Sequence, residues 1–210
     1  MFGFNKKEMK IFKKLDSPKK IQDFLNKIPI NFEPEGDTCF SPRKVLQEWR
    51  CHCIEGALLA AVALRFHGFK PLVVDLKTTK DDFEHVVAVF KQHGKWGAIS
   101  KTNHAVLRYR ESVYKDIREL VISYFHEYFD NKGRKTLRSY SLPVDLSRFD
   151  KRGWMTSSEN LWYIDSYLDK VKHFKIMNRK QISGLRKADK IEILAGKIVE
   201  WKKLGKKIEN

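Results

Sequence analysis

Residues 53–68 read CIEGALLAAVALRFHG, an alanine-rich apolar run that opens with a cysteine and ends at a glycine. Apolar residues recur at three- and four-residue spacings, which predicts a helix with a wide apolar face. Gly68 suits the left-handed position just past a helix C-terminus, and Pro71 follows soon after, as is common beyond a helix end. Because so few polar residues interrupt the run, we expect this helix to be buried.

Cys53 stands at the N-terminus of this predicted helix. The unpaired backbone N–H groups there carry a partial positive charge, which favours a thiolate over a thiol. The position also suits an inert core cysteine, since free cysteines are among the most buried residues. Helix position alone leaves both interpretations open and favours the inert one.

A predicted β-hairpin follows, with His85 at the start of its first strand and His93-Gly94 as its two-residue turn. Such a turn pairs residues whose numbers sum to 187. Ser100 and Thr102 would then share a sheet face with His85, and Asn103 would not. A single bulge in the hairpin would reverse this prediction.

Helix and hairpin together resemble the transglutaminase-like superfamily, a branch of the papain-like cysteine enzymes. The resemblance covers roughly residues 38–110 and includes the family's nucleophile helix, its histidine strand and its Trp-containing strand. It implies an α+β fold in which the nucleophile helix packs on an antiparallel sheet, with a Cys–His site for acyl transfer. The matching residues are Cys53, Ala57, Leu59, Ala63, Leu64, Arg65, Gly68, Pro71, His85–Phe90 and Gly94–Ile99.

The family's third catalytic residue is an aspartate, and this position falls at Ser100. That residue orients the imidazole and stabilises its charged form, whereas a serine accepts a hydrogen bond but brings no charge. Papain-like enzymes also use an amide here, so Asn103 is an equal alternative. Asp75 is a further carboxylate that could approach the site, although a solvent-facing charge at a strand end is the simpler interpretation.

The resemblance implies that His85 takes the proton of Cys53 and that the thiolate attacks an amide or ester carbonyl. The backbone N–H of Cys53 is a natural oxyanion donor. Gln47 has a spacing similar to the oxyanion glutamine of papain-like enzymes, although a polar helix face explains it better. Arg108 and Arg110 could bind a substrate carboxylate, or could be structural. We expect no cofactor.

Cys39, Cys51 and His52 raise other possibilities for the cysteines. Zinc sites usually take two separated pairs of ligands, and this sequence has a single cluster, so we expect no metal site. A disulfide from Cys51 to Cys53 or Cys39 would need an oxidising compartment. Cys51 could instead be a resolving thiol for an oxidised Cys53, or could simply pack in the core.

The composition is that of a basic protein of 210 residues with enough apolar residues, 42%, for a sizeable core. The net charge is +16, and residues 166–210 hold 13 Lys and Arg against 5 Asp and Glu. Such a surface attracts polyanions, but no nucleic-acid motif accompanies it, so we favour a solvated lysine-rich face. No apolar run has membrane-spanning length, and we expect a cytoplasmic protein with reduced cysteines and no membrane insertion.

We therefore predict one domain, with an N-terminal helical extension (1–37), a transglutaminase-like core (38–150) and a basic C-terminal helical extension (151–210). The leading function is a cysteine-dependent hydrolase or acyltransferase acting on a peptide or protein substrate. One alternative is a catalytically weakened member of the family that binds a peptide or protein, and another is a basic nucleic-acid-binding or scaffold protein. The remaining pattern predicts helices over 5–15, 18–27, 42–49, 113–129, 160–170 and 188–204, and an extended segment over 139–146.

Overall fold

The structure, a computed structural model, describes residues 2–202. It has an α+β architecture in which helices cover an open antiparallel sheet. The helices are α1 Lys6–Lys14, α2 Pro18–Asn26, α3 Pro42–Glu48, α4 Cys53–Phe66, α5 Ile117–Phe125, α6 Trp162–Lys170, α7 Arg179–Ser183 and α8 Lys190–Gly196. The strands are β1 Leu72–Lys77, β2 His85–Gln92, β3 Lys95–Ile99, β4 Arg110–Tyr114, β5 Ser139–Ser141, β6 Val144–Asp145 and β7 His173–Lys175. A 3-10 helix spans Leu146–Arg152.

The sheet has the strand order β4-β3-β2-β1-β5-β7, with β6 also paired to β1. Strands β5 and β6 pair with the two ends of the same edge of β1. Pro143 lies between them and has no N–H to donate, so the ladder is interrupted there. The hydroxyl of Ser141 accepts the freed backbone N–H of Asp75 at 3.0 Å.

Helix α4 is the centre of the larger core, and every residue from Ile54 to Leu64 is buried. The sheet covers one side of α4, mainly through β2, and helices α1, α2 and α3 cover the rest. The predicted buried helix is therefore confirmed. Alternation along the strands sends Val73, Val86, Ala88 and Phe90 toward α4. It sends Val74, Leu76, Val87 and Val89 into a second core that contains α5.

Local capping explains where the first helices begin, as the sequence predicts. Ser17 caps α2 by accepting the N–H of Lys20 at 3.4 Å, and Pro18 occupies the first turn. Ser41 caps α3 in the same way. Gly68 has a φ of +85°, the left-handed conformation expected just beyond α4.

Two helix predictions are wrong in extent. Residues 110–114 pair with β3 as a strand, so the helix predicted from residue 113 begins only at Ile117, capped by Asp116. The helix predicted over 188–204 is formed only by α8, since the chain then turns back to pair with residues 103–105. Residues 203 and 204 lie outside the described residues. In both places, backbone pairing with a distant segment overrides the local helical pattern of the sequence.

The end segments contribute to the same structure as the middle of the chain. Phe12 of α1 and Leu25 of α2 are fully buried against the α4 core. The C-terminal segment is not only helical, because β7 pairs with β5 and widens the sheet.

Helix α4 approaches the end of β3 so closely that only glycine fits at residue 56. A Cβ on Gly56 would lie 2.5 Å from the Cβ of Lys101 and 3.0 Å from its Cγ. Lys101 is only 2% exposed, and its ammonium donates hydrogen bonds to the carbonyl oxygens of Leu25, at 3.1 Å, and Ile28. The start of α4, the end of α2 and the residues after β3 are thereby locked together.

The substitution Gly56→Ala tests this contact. Alanine should favour the helix by about 1 kcal/mol, yet overpacking against Lys101 should outweigh this and lower the free energy of unfolding by about 1–3 kcal/mol. Urea unfolding measures the difference. Gly184→Ala is the control, since Gly184 has a φ of −92° and its nearest neighbour would lie 3.7 Å from a new Cβ. An unchanged stability of the Gly56→Ala variant would contradict the close approach.

Candidate active site

Cys53 is the first residue of α4, and His52 is its N-cap. Cys53 is a half-buried residue, whereas Cys39 and Cys51 are buried, and all three are free thiols. Cys53 is therefore the most exposed of the three cysteines. Its position at the positive end of a helix favours the anionic form.

His85 begins β2, and its Nε2 lies 2.8 Å from the Oγ of Ser100. The Ser100 hydroxyl donates its own proton to the carbonyl oxygen of Leu107 at 2.5 Å. Because that proton is committed, Ser100 acts as an acceptor and His85 carries its proton on Nε2. The Nδ1 of His85 is then the ring nitrogen left for the sulfur of Cys53, and this imidazole lowers the pKa of the Cys53 thiol.

The hairpin places Ser100 beside His85 as its turn predicts. Ala88 pairs with Ile99 and Gln92 with Lys95, which is the predicted register with no bulge between β2 and β3. His93 and Gly94 have φ values of +50° and +76°, as a type I′ turn requires.

Helix α2 clamps the backbone of Ser100. The side chain of Gln22 accepts the Ser100 N–H at 2.9 Å and donates to the Ser100 carbonyl oxygen at 2.9 Å. The sequence analysis did not single out Gln22. The sequence does contain a sign of this role, because Gln22 is a polar residue beside Ile21 on the buried face of α2. A buried amide needs hydrogen-bond partners.

The two other candidates for the third position have different partners. The amide of Asn103 donates to the carbonyl oxygen of Trp201 at 2.9 Å and accepts its N–H at 2.8 Å. The hydroxyl of Thr102 accepts the N–H of His104 at 3.1 Å. Ser100 is thus the candidate that contacts His85.

A second imidazole, that of His52, also lies beside Cys53 and lowers the pKa of its thiol. Its Nε2 lies 2.9 Å from the carbonyl oxygen of Thr38, 3.4 Å from Glu55 and 3.5 Å from Glu33. Burial alone lowers the pKa of His52, but its interactions with Cys53 and the charge of Glu55 raise it to about 10. His52 therefore holds its second proton more readily than a free imidazole does.

Glu55 anchors this arrangement from a fully buried position on the first turn of α4. Its carboxylate accepts the backbone N–H of His52 at 2.9 Å and that of Phe40 at 2.9 Å. It also accepts the Thr38 hydroxyl at 2.7 Å and the amide of Asn31 at 3.3 Å. Four donors satisfy a buried carboxylate that would otherwise be costly.

These contacts decide the ionisation of Cys53. Burial raises the pKa of the Cys53 thiol, but the interactions of this thiol with the imidazoles of His52 and His85 outweigh burial. They hold the pKa well below its usual value. The opposite holds for the neighbouring cysteines, since burial raises the pKa of Cys51 to about 12 and that of Cys39 higher still.

A cleft of about 370 Å³ opens onto His85 between the loop after β1 and the end of α5. Larger hollows exist elsewhere, but their walls include neither Cys53 nor His85, whereas His85 lines this cleft. Apolar walls from Phe83 and Phe129 suit an uncharged chain segment. The cleft is also lined by five carboxylates against one lysine, namely Asp81, Asp82, Glu84, Glu127, Asp130 and Lys197.

The remaining predicted site residues lie in other surroundings. Gln47 is exposed near the end of α3. Arg108 pairs with Glu200 at 3.1 Å. Arg110 pairs with Glu127 at 2.7 Å and stacks over the ring of Tyr124 at 4.1 Å. Both guanidinium groups are thus engaged within the protein.

Asp75 is buried at 2% exposure, so the solvent-facing interpretation is wrong for this residue. Its carboxylate lies 3.0 Å from His173 Nε2 and 3.2 Å from Lys77. Asp75, Glu84 and Asp169 bring carboxylate oxygens within 4.8 Å of one another. The ammonium of Lys77 contacts all three, so it already supplies the positive charge that a cation would bring.

A scan of the sequence against protein-family models found no match, and a search of the curated proteins found no significant relative. The family resemblance therefore rests on the sequence motifs alone. Within residues 2–202, the helices are too short or too polar to cross a membrane.

Replacing Ser100 with alanine tests the hydrogen-bond relay. It would leave His85 Nε2 and the carbonyl oxygen of Leu107 without their partner, and we expect the free energy of unfolding to fall by about 1–3 kcal/mol. Thermal or urea unfolding measures the loss. The control is Thr102→Ala, which removes a hydroxyl of a half-buried residue two positions further on. Equal stabilities of the two variants would contradict the relay.

Proposed function

We propose that the protein is a cysteine-dependent hydrolase or acyltransferase with a transglutaminase-like core, acting on amide bonds of a peptide or protein. The observation that carries the proposal is that Cys53 begins a helix and has its thiol pKa lowered by the imidazole of His85, whose Nε2 is held by Ser100. A nucleophile, a base and an orienting group in this order form a catalytic triad.

In the first half of the reaction, the Cys53 thiolate attacks the substrate carbonyl carbon and forms a C–S bond. The carbonyl oxygen takes the negative charge, and backbone N–H groups at the start of α4 are oriented to stabilise it. The C–N bond then breaks while protonated His85 gives its Nδ1 proton to the leaving amine. A thioester on Cys53 remains.

In the second half, neutral His85 removes a proton from water or from an amine, which attacks the thioester. The C–S bond breaks, the thiolate returns, and the product is an acid or a new amide. The neutral relay through Ser100 fixes the ring orientation and the proton on Nε2 throughout.

The cleft beside His85 suits the binding of an uncharged or cationic segment of a substrate better than the binding of a polyanion. Four of its five carboxylates pair with Lys77, Arg110 or Arg134, so they give the cleft little net negative charge. Among the described residues, Lys197 is the one lysine or arginine that lines the cleft, so a polyanion would find few cationic partners there. This favours peptide chemistry over the nucleic-acid alternative.

Selective alkylation tests the proposal directly. At pH 6 we expect iodoacetamide to modify Cys53 at least about tenfold faster than it modifies free N-acetylcysteine, because only the thiolate reacts and a free thiol has a pKa of about 8.5. As the pH is lowered, fast labelling should persist until the pH falls below the lowered pKa of Cys53. Peptide mapping by mass spectrometry assigns the modified residue.

Buried Cys39 and Cys51 serve as internal controls, and both should remain unlabelled in the folded protein. Cys53→Ser should abolish the fast phase. A Cys53 that labels no faster than N-acetylcysteine at pH 6 would contradict the enzyme assignment. It would support the alternative in which the groove only binds a peptide or protein.

A further inference from the structure

We infer that Glu127 and Leu107 are positioning residues, which turn the Ser100 hydroxyl so that it accepts a hydrogen bond from His85. The inference deepens the proposed function and rests on it. A carboxylate just beyond α5 thereby acts on the imidazole through a strained peptide group and a neutral hydroxyl, and not by direct contact.

Leu107 has a backbone conformation that leucine rarely adopts. Its φ is +60°, in the left-handed region that glycine and asparagine tolerate best. The residue is half-buried in the loop of residues 100–109, which connects β3 to β4. Strain of this kind persists only where the surrounding structure imposes it, and it collects at functional sites. The contacts that impose it here are therefore informative.

Side chains hold both backbone polar groups of Leu107. Its N–H donates to a carboxylate oxygen of Glu127 at 2.8 Å. Its carbonyl oxygen accepts the hydroxyl of Ser100 at 2.5 Å. Leu107 thus links a carboxylate on one side to the partner of His85 on the other.

The carboxylate of Glu127 is itself held in place. Its second oxygen pairs with the guanidinium of Arg110 at 2.7 Å. Arg110 is anchored on α5, because its Nε donates to the hydroxyl of Ser123 at 2.9 Å and its guanidinium lies 4.1 Å from the ring centre of Tyr124. Glu127 therefore presents one fixed oxygen to the loop and uses the other for its anchor.

The direction of the Ser100 hydroxyl decides which nitrogen of a neutral His85 ring carries the proton. Gln22 fixes the backbone of Ser100 through both its N–H and its carbonyl oxygen, so rotation of the hydroxyl is the freedom that remains. While this hydroxyl donates to Leu107, it can only accept from His85 Nε2. Nδ1 then keeps the lone pair that receives the Cys53 proton.

Loss of the Glu127 contact should undo this arrangement. Without it, Leu107 is free to leave the left-handed region and to withdraw its carbonyl oxygen from Ser100. The released hydroxyl then donates to His85 Nε2, and the ring proton moves to Nδ1. A ring with its proton on Nδ1 cannot take a proton from the thiol.

Nitrogen-15 NMR of the histidine rings tests the inference. Spectra are recorded on Cys53→Ser at pH 9, where imidazoles are neutral and no thiolate is present, and a further His85→Gln change assigns the signal. We expect an Nε2–H ring for His85 in this parent protein and an Nδ1–H ring once Glu127→Ala is added. Adding Leu107→Gly as well should bring back the Nε2–H ring, because glycine takes a φ of +60° without strain.

Two variants serve as controls. Glu127→Gln should keep the parent tautomer, because its amide oxygen still accepts the Leu107 N–H. Glu111→Ala should keep it too, since Glu111 is an exposed carboxylate on β4 whose partner is the Tyr109 hydroxyl, 3.5 Å away. In the protein with Cys53 intact, turnover of p-nitrophenyl acetate should fall at least about tenfold in Glu127→Ala and match wild type in both controls.

Two outcomes would overturn the inference and leave the proposed function standing. In the first, His85 already carries its proton on Nδ1 in the parent protein, a result that needs no Glu127 variant to fold. In the second, Glu127→Ala keeps the tautomer and the turnover of its parent. Slow labelling of wild-type Cys53, by contrast, would remove the proposed function, and the tautomer is read without any substrate.

Discussion

The contact between the first turn of α4 and the residues after β3 is the constraint on which the candidate site depends. Gly56 lets the helix lie against Lys101, and the buried ammonium of Lys101 ties both to the end of α2. Gln22 of that same helix then fixes the backbone of Ser100. Three elements that are distant in sequence thereby bring the Cys53 sulfur within reach of an imidazole held by Ser100.

Electrostatics in the site follow from where the buried carboxylate lies. Ser100, which carries no charge, lies behind His85, whereas the carboxylate of Glu55 is fully buried and accepts the backbone N–H of His52. The buried negative charge near the nucleophile therefore lies at the start of α4 and not behind the His85 ring.

Local sequence signals predicted the elements that carry the candidate residues. The apolar run gave α4 with Cys53 at its start, and the His93-Gly94 turn gave the register that pairs Ala88 with Ile99. These succeed because helix periodicity and two-residue turns act over short distances. The alternation of side chains along the predicted strands placed Ser100 on the same sheet face as His85. A bulge would have placed Asn103 there instead, and the sequence could not show that the hairpin has none.

What the sequence could not predict depends on contacts between distant segments. The partners of Asn103 come from Trp201, and those of Glu55 come from the loop that holds Thr38 and Asn31. Asp75 was predicted to face solvent because the neighbouring sequence gives no sign of its partner. That partner is His173 of β7, almost a hundred residues further along the chain. Such partners are set by the tertiary fold, and a single sequence carries no short-range signal for them.

The central claim is that Cys53 is a thiolate at neutral pH, and ultraviolet absorbance of the thiolate measures this without any reagent. The titration would follow wild type minus Cys53→Ser from pH 4 to pH 10. The account predicts that the difference signal is already complete at pH 7 and is lost only as the pH falls well below it. A signal that develops with a midpoint near 8.5, the value of a free cysteine, would contradict the account.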